Sequence, residues 1–481
     1  MNVLENLEPK AVFKYFEALS RIPRGSKNEQ EVSDYLVNFA KERNLEVVQD
    51  EFLNVYIKKA ASAGYENAPK IVIQGHMDMV NEKNEDVVHD FLKDPLKLLI
   101  EGDFITADGT TLGADNGTAV AIGMALLDGN YTHGDLMVFI TTDEEQGMSG
   151  AKSADPKRFE DYNYFLNLDS GHEGIFTVSC AGGAGHRVII KIEETAIPDE
   201  YETFTVKIFG LNGGHSGIDI DKGLAMSNKL AAEIIKSITE KMPATISHLN
   251  GGLKTNAIPR EANFVVSVAK SDVDALKTVV KENEDRLKKE YQNTEKDLTV
   301  TIENSPKATV GFSQANASAI VRNILEAPLA TQTKTSRGDL ESSNNIGVVT
   351  TENGEVTLFH ATRSSVGALK QVIIDKVDKL AKETGAEHVL DGSYPEWEYQ
   401  ENSPLREKCI AVYASMYGKE PAIESTHGGL ECAIFSKNMP HLDMISFGPD
   451  HYALHTPDEK VSISSTKRVF EYIIQLLESF K

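Results

Sequence analysis

The chain has 481 residues, 41% hydrophobic and 25% charged, the balance of an ordinary soluble globular protein rather than of a disordered or membrane one. That length exceeds what one hydrophobic core usually organises, so two or more domains are expected. Lysine and arginine total 49 against 73 aspartates and glutamates, a net charge of -24 with no offsetting basic stretch, which argues against nucleic acid or membrane partners.

The N-terminal stretch Met1-Asn-Val-Leu-Glu-Asn-Leu-Glu-Pro carries acids and no basic start before an apolar core, so no secretory signal is read there. Cys180, Cys409 and Cys432 form a sparse, odd set without Cys-x-x-Cys spacing, which fits a cytoplasmic setting better than a disulfide framework. Amphipathic helices are expected over residues 9–19 and 28–42, where Phe13, Phe16 and Leu19, then Val32, Tyr35, Leu36 and Phe39 recur at helical spacing. Strand-like segments follow at 45–48 and 55–58.

Three apolar runs then end in potential ligands. Ile71-Val-Ile-Gln-Gly runs into His76-Met-Asp78, Leu136-Met-Val-Phe-Ile-Thr-Thr-Asp into Glu144-Glu145, and Tyr164-Phe-Leu-Asn-Leu into Asp169. Short runs of this kind read as buried strands, and in open α/β sheets ligands collect beyond the carboxyl ends of strands, so the three ends describe one polar site. Imidazole with carboxylates is a ligand set for zinc or a similar divalent cation. Two adjacent glutamates after a buried strand are costly unless a cation offsets their repulsion. Asp115 opens an Ala- and Leu-rich helix and, from its position alone, can equally be a helix cap.

The glycine-rich run 180–185 reads as a hinge. Beyond it come strands at 204–208, 263–268 and 299–302 with helices at 224–238 and 273–291, the pattern of a separate α+β unit. This unit continues through a strand at 356–360 and a helix at 367–384 to a turn at Asp391-Gly-Ser-Tyr-Pro, with a suggestion of internal duplication about Ser305. A helix at 407–417, a strand at 444–447 and a final helix at 465–480 complete the first domain rather than forming a small third one. The expected division is therefore residues 1–184 and 396–481 as one α/β domain with a central mixed sheet flanked by helices, interrupted by an inserted α+β domain at 185–395.

The motifs Gly-His76-Met-Asp78, Gly113-Ala-Asp115-Asn-Gly, Asp-Glu144-Glu145-x-Gly147, the Asp169 strand end, Gly-Gly-His215-Ser-Gly and His455-Thr-Pro-Asp-Glu, in this order and spanning essentially the whole chain, resemble those of the M20 family of zinc peptidases. The likeness is greatest to its subgroup of cytosolic aminoacyl-histidine dipeptidases. The resemblance implies a zinc-peptidase catalytic domain with an inserted lid, and two zinc ions, replaceable by manganese or cobalt, bridged by Asp115. His76 and Asp169 would complete one ion and Glu145 and His455 the other. Asp78 would orient His76, Glu144 would be the general base, and a cis peptide is implied after Asp115.

From the inserted domain, His215 would be an oxyanion donor, Arg363 and Asn256 would grip the substrate, and His427 falls on a further motif of the subgroup. The implied activity is hydrolysis of dipeptides, Xaa-His among them, by a cytoplasmic enzyme that pairs as a homodimer through its lid. Closure of that lid would expel water from the reactants. An aminoacylase or carboxypeptidase of the same family would share the site, and a non-catalytic, metal-stabilised peptide-binding protein is the alternative of another class. Against the last stands Glu144, an acid in excess of the ligands required, since structural zinc sites favour closed, cysteine-rich sets.

Overall fold

The structure is a computed structural model describing residues 3–481; Met1 and Asn2, where the signal reading began, lie outside the described residues. Two compact units divide the chain, one formed by Met1–Ser179, Tyr399–Ser425 and Leu430–Lys481, the other by Cys180–Glu398 and Thr426–Gly429. The crossings thus fall a few residues from those expected at 184/185 and 395/396, and residues 426–429 group with the second unit.

In the first unit an eight-stranded mixed sheet runs in the order Glu46–Gln49, Val55–Lys59, Leu136–Thr141, Ile71–His76, Tyr164–Asn167, Asp443–Ser446, Ile175–Cys180, Ala422–Thr426. Four central strands are parallel, with Ile71 opposite both Leu136 and Tyr164, and Asp443 also opposite Tyr164, so their carboxyl ends share one edge. Every residue of Ile71–His76 and Leu136–Thr141 is buried, which is why these segments read as unbroken apolar runs rather than alternating ones. The strand Asp443–Ser446 joins the sheet from the far end of the sequence, so the C-terminal segment completes this unit.

Helices Lys10–Leu19, Ala114–Asp128 and Ile463–Glu478 pack their apolar residues with the sheet in one core that includes Phe13, Phe16, Val120, Val138 and Ile473. Ala114–Asp128 lies close on the sheet because Gly123 offers no side chain: a Cβ there would meet Val138 Cγ1 at 2.7 Å. A smaller four-stranded sheet, Leu98–Glu101, Phe104–Ala107, Lys460–Ser462 and His451–Tyr452, was not legible in the sequence. Its strands, of two to four residues, are too short to carry an apolar pattern.

A nine-stranded sheet dominates the second unit, its main path running Thr299–Asn304, Tyr201–Phe209, Ala262–Ala269, Ala244–Gly251, Leu340–Glu352, Glu355–Ser364, Gly182–Lys191, Glu387–Tyr394. The first four strands with helices Ser227–Lys241 and Val273–Glu290 make one β-α-β-β-α-β half. The last four with Gln314–Leu325 and Gly367–Glu383 make another, and the halves meet antiparallel at Gly251 and Val349. The duplication suspected about Ser305 is therefore present in outline, but the second half takes its first strand from Gly182–Lys191, before the first half begins.

Two local expectations fail here. The glycine run at 180–185 is not a hinge loop but enters the strand Gly182–Lys191. Its glycines serve close approach instead: a Cβ on Gly182 would meet Glu396 N at 2.5 Å, and one on Gly183 the Tyr394 ring at 2.4 Å. Likewise Asp391 to Tyr394 continue the strand Glu387–Tyr394 rather than turning, with a register shift between Leu390 and Gly392 that leaves Asp391 as the extra, unpaired residue. Among the described residues no helix is long and apolar enough to cross a membrane.

Candidate metal centre

At the shared carboxyl edge of the first unit's sheet, His76 ends its strand opposite Thr141, and the loops that follow Thr141 and Asn167 carry Glu144, Glu145 and Asp169. The chain reaches Glu144 through Asp143, a non-glycine residue at φ 58. Lys27 Nζ at 2.5 Å and Ser149 Oγ at 2.6 Å, both donating to Asp143 Oδ2, and the Asp143 N–H given to Glu29 Oε1 at 3.1 Å hold this backbone, which alone would be strained.

Asp115 lies between two sets of candidate ligands. Its Oδ1 is 3.3 Å from His76 Nε2, which is itself 3.4 Å from Asp169 Oδ1; its Oδ2 is 3.4 Å from His455 Nε2, which is 3.0 Å from Glu145 Oε2. The ligand atoms of His76, Asp115 and Asp169, and those of Asp115, Glu145 and His455, lie within 4.8 Å of one another, as do those of His76, Glu144 and Glu145. A mixed nitrogen and oxygen donor set of this kind fits zinc or a similar ion. One more observation supports the fit: Glu145 Oε1 is buried with no hydrogen-bond partner, an orphan that a cation would satisfy.

Neighbouring groups orient these ligands. His76 Nδ1, on the side away from Asp115, lies 3.1 Å from Asp78 O and 3.3 Å from Asp78 Oδ1. Asp78 Oδ1 and Oδ2 also accept the backbone N–H groups of Glu144 and Glu145 at 3.1 and 3.3 Å, and Oδ2 accepts Ser26 Oγ at 2.8 Å. The Asp115–Asn116 peptide is cis, and the Asn116 side chain accepts the His76 N–H at 3.2 Å and donates to Leu168 O at 2.9 Å.

Electrostatics follow from packing these groups together. Burial disfavours every charge, yet hydrogen bonds from His455 and His76 hold the Asp115 carboxyl far below its usual range. Asp169 goes the other way, pushed up to about 7 by burial against the pull of His76, with Asp115 and Glu145 adding to the rise. Burial raises Glu144 well above the usual range, helped by Asp169, Glu431 and Glu145. The imidazoles mirror this: His455, bonded to Asp115 and Glu145, rises to about 10, and the neighbouring carboxylates overcome burial to raise His76. Excess negative charge thus draws protons onto His76, Asp169 and His455, three of the groups a divalent cation would occupy, so metal uptake at this centre would release them.

Of the residues behind the centre, Arg24 had no signal in the sequence, while Glu459 and Glu431 close two of the family's motifs without a role being assigned to them. Arg24, 2% exposed, donates to Met77 O at 2.9 Å and Gly113 O at 2.5 Å; Glu459, also 2% exposed, takes backbone N–H groups beside Asp115. Glu431 is buried beneath the strand ends, where Oε2 accepts Gln74 Nε2 at 2.6 Å and Thr141 Oγ1 at 2.7 Å. Burial pushes its carboxyl up to about 8. A further hint was a polar Gln74 inside an otherwise apolar strand, a pattern that calls for a buried partner.

The remaining predicted site residues belong to the second unit. His215 lies on the short strand Gly214–His215, paired with Ala257–Ile258, and Ser216 donates its N–H to Asn256 O at 2.9 Å. His215 Nδ1 accepts the N–H groups of Gly217 and Ile218 at 3.2 and 3.3 Å, which leaves Nε2 to carry the proton. Burial, and then the Arg363 charge, lower the pKa of this imidazole. Arg363, on the strand Glu355–Ser364, donates from Nη1 to Tyr394 Oη at 3.2 Å. Ser343, opposite Arg363 in the sheet, meets His427 Nε2 at 2.8 Å, and burial with the Arg363 charge lowers His427 to about 4.

A sequence profile described as Peptidase family M20/M25/M40 matches residues 72–479. The chain is 36% identical over 481 residues to the cytosol non-specific dipeptidase of Escherichia coli (strain K12), covering 99% of each. A crystal structure of aminoacylhistidine dipeptidase from Vibrio alginolyticus is similar at a TM-score of 0.92 and 34% identity, over 99% of this chain and 98% of that one. The aminopeptidase PepT of Bacillus cereus shares the fold at a TM-score of 0.57 and 17% identity, over 98% of this chain and 99% of that one.

Proposed function

The chain belongs to peptidase family M20/M25/M40, and from that premise we propose that it is a cytoplasmic, metal-dependent dipeptidase acting on dipeptides with free termini, Xaa-His among them. The observation that carries this reading is Asp115, whose two carboxylate oxygens each face a different histidine that in turn meets a further carboxylate. His76, Asp115 and Asp169 would hold one divalent cation and Asp115, Glu145 and His455 a second, zinc before manganese or cobalt. Such ions supply an acidified water and positive charge to offset that gathering on the substrate carbonyl oxygen.

The chain's own groups do the rest. Glu144, not needed as a ligand, accepts the proton of the attacking water and passes it to the leaving amine, a step worth about a hundred- to ten-thousand-fold. Asp78 keeps the His76 proton on Nδ1, so that Nε2 presents its lone pair to the centre. The second unit provides His215, which donates its Nε2 proton to the carbonyl oxygen, and Arg363, whose forked donors suit a free carboxylate and so select small peptides with an open C-terminus. Asn256 and His427 complete the substrate contacts, and the assembly is a homodimer paired through the second unit.

Metal analysis of the purified protein, combined with hydrolysis of Xaa-His dipeptides, other dipeptides, tripeptides and N-acetyl amino acids before and after chelation, tests the proposal. Two equivalents of metal and chelator-sensitive cleavage of dipeptides are expected, and Glu144→Gln should keep the metal while losing most turnover. Activity confined to acylated amino acids would make the protein an aminoacylase. Zinc that raises thermal stability while no peptide is cleaved would make it a binding protein.

A further inference from the structure

Glu459 follows the ligand His455 by four residues and points its carboxylate at a segment more than three hundred residues earlier in the chain. Its Oε2 accepts the backbone N–H groups of Leu112 and Gly113 at 2.7 and 2.9 Å, and its Oε1 those of Ala114 and Asp115 at 2.8 and 3.2 Å. Four consecutive N–H groups converge on one carboxylate because Gly113 turns the backbone at φ 66 just before the helix Ala114–Asp128, whose first-turn donors have no partner within the helix. The buried Arg24 donates to Gly113 O at 2.5 Å and to Met77 O at 2.9 Å, tying the same segment to the strand end that bears His76.

The loop from His455 is anchored at its end by the same residue. Glu459 N–H donates to Thr456 O at 3.1 Å and Thr106 Oγ1 donates to Glu459 O at 2.9 Å, after which Lys460 enters a strand paired with Phe104–Ala107.

We propose that Glu459 is a positioning residue that couples two ligand-bearing segments, holding the Asp115 turn and the His455 loop as one piece, so that the cation shared by Asp115, Glu145 and His455 is the one that depends on it. The proposal rests on the dinuclear reading above. It differs from an ordinary helix cap in its consequence: a cap would affect only the stability of its helix, whereas a coupling residue sets the order of both segments and the affinity of one particular ion.

In Glu459→Gln the side chain keeps its shape, but the amide NH2 faces two backbone N–H donors and leaves them unpaired. Hydrogen exchange on chelator-stripped protein should show amides 112–115 and 453–459 exchanging faster together, while the helix Lys10–Leu19 is unchanged. Zinc titration calorimetry should show two ions on the parent protein. On the variant, one should keep its affinity and the other weaken about ten- to a hundred-fold, as expected when a group behind a ligand is lost. Thr106→Val, a milder change that removes the hydroxyl from Glu459 O, should move both readouts the same way by less, and stands in if the first variant fails to fold. Faster exchange at 112–115 alone with both affinities retained, or equal weakening of both ions, would overturn the proposal. A parent protein that binds no zinc would instead remove the dinuclear reading, and the joint or separate exchange of the two segments would decide the coupling alone.

Discussion

Asp78→Asn changes one oxygen to a nitrogen at a fully buried position, and the hydrogen bonds around it set the cost. Asp78 Oδ1 serves the Glu144 N–H at 3.1 Å and faces His76 Nδ1 at 3.3 Å, while Oδ2 serves Ser26 Oγ at 2.8 Å and the Glu145 N–H at 3.3 Å. Whichever way the amide turns, its NH2 confronts one of the two backbone N–H groups that carry the proposed base and ligand. A buried donor left without an acceptor costs about 1–3 kcal/mol. If that loss is felt in the transition state, kcat/KM falls roughly tenfold to a hundredfold, since each 1.36 kcal/mol is a factor of ten. Steady-state hydrolysis of a dipeptide, with metal content measured on the same sample, reads this directly. A variant fully loaded with metal whose kcat/KM stays within about twofold of the parent would refute the assignment of Asp78 as the group that positions His76, Glu144 and Glu145.

Replacing Arg363 by lysine keeps the charge but loses the fork, so KM for dipeptides with a free carboxylate should rise by roughly tenfold or more, as expected for a charge-assisted bond of about 1.5–3 kcal/mol; an equal change for C-terminally amidated dipeptides would count against the carboxylate contact. Gly75→Ala places a Cβ 2.4 Å from Asn116 Oδ1 and 2.7 Å from Ala119 Cβ, and overpacking of this kind lowers stability by about 1–3 kcal/mol, readable as a fall in Tm. In the second unit, burial and the neighbouring His388 lower the pKa of His186 from 6.5 to about 4, with Asp391 opposing. Its Nδ1 meets His388 Nε2 at 2.9 Å, its Nε2 meets Thr362 Oγ1 at 2.8 Å, His360 stacks on it, and Asp378 lies against His388. The unfolded chain therefore binds the proton first, so this contribution of about 3 kcal/mol is complete above pH 6.5 and is lost as pH falls toward 4. Denaturant melts across that range should show the acid slope, shallower in His186→Asn; an unchanged slope would contradict the buried, neutral imidazole.

Legibility varied with how local the signal was. The strands ending at His76, Thr141 and Asn167 announced themselves because a parallel strand buried on both faces must be apolar throughout, and the acids beyond them stood out against that background. Asp115 and His455 took their roles from the family's ordered motifs, since an acid at a helix start and a histidine in a loop are otherwise unremarkable. Gly182–Lys191 was misread because glycines that admit the Tyr394 ring and the Glu396 backbone look, in one dimension, like glycines that loosen a hinge.

What the sequence by itself determined was therefore the fold class, the insertion of one domain in another and the groups that stand as candidate cation ligands, because each leaves a periodic or ordered trace along the chain. The tertiary structure set the two oxygens of Asp115 within 3.4 Å of different histidines, as the resemblance implied, and only it decided that Arg24, Asn116, Glu431 and Glu459 stand behind the candidate ligands. A lone buried charge has no period, and its meaning lies wholly in partners that the fold brings to it from remote positions, as it brings Glu459 to the N–H groups of residues 112–115.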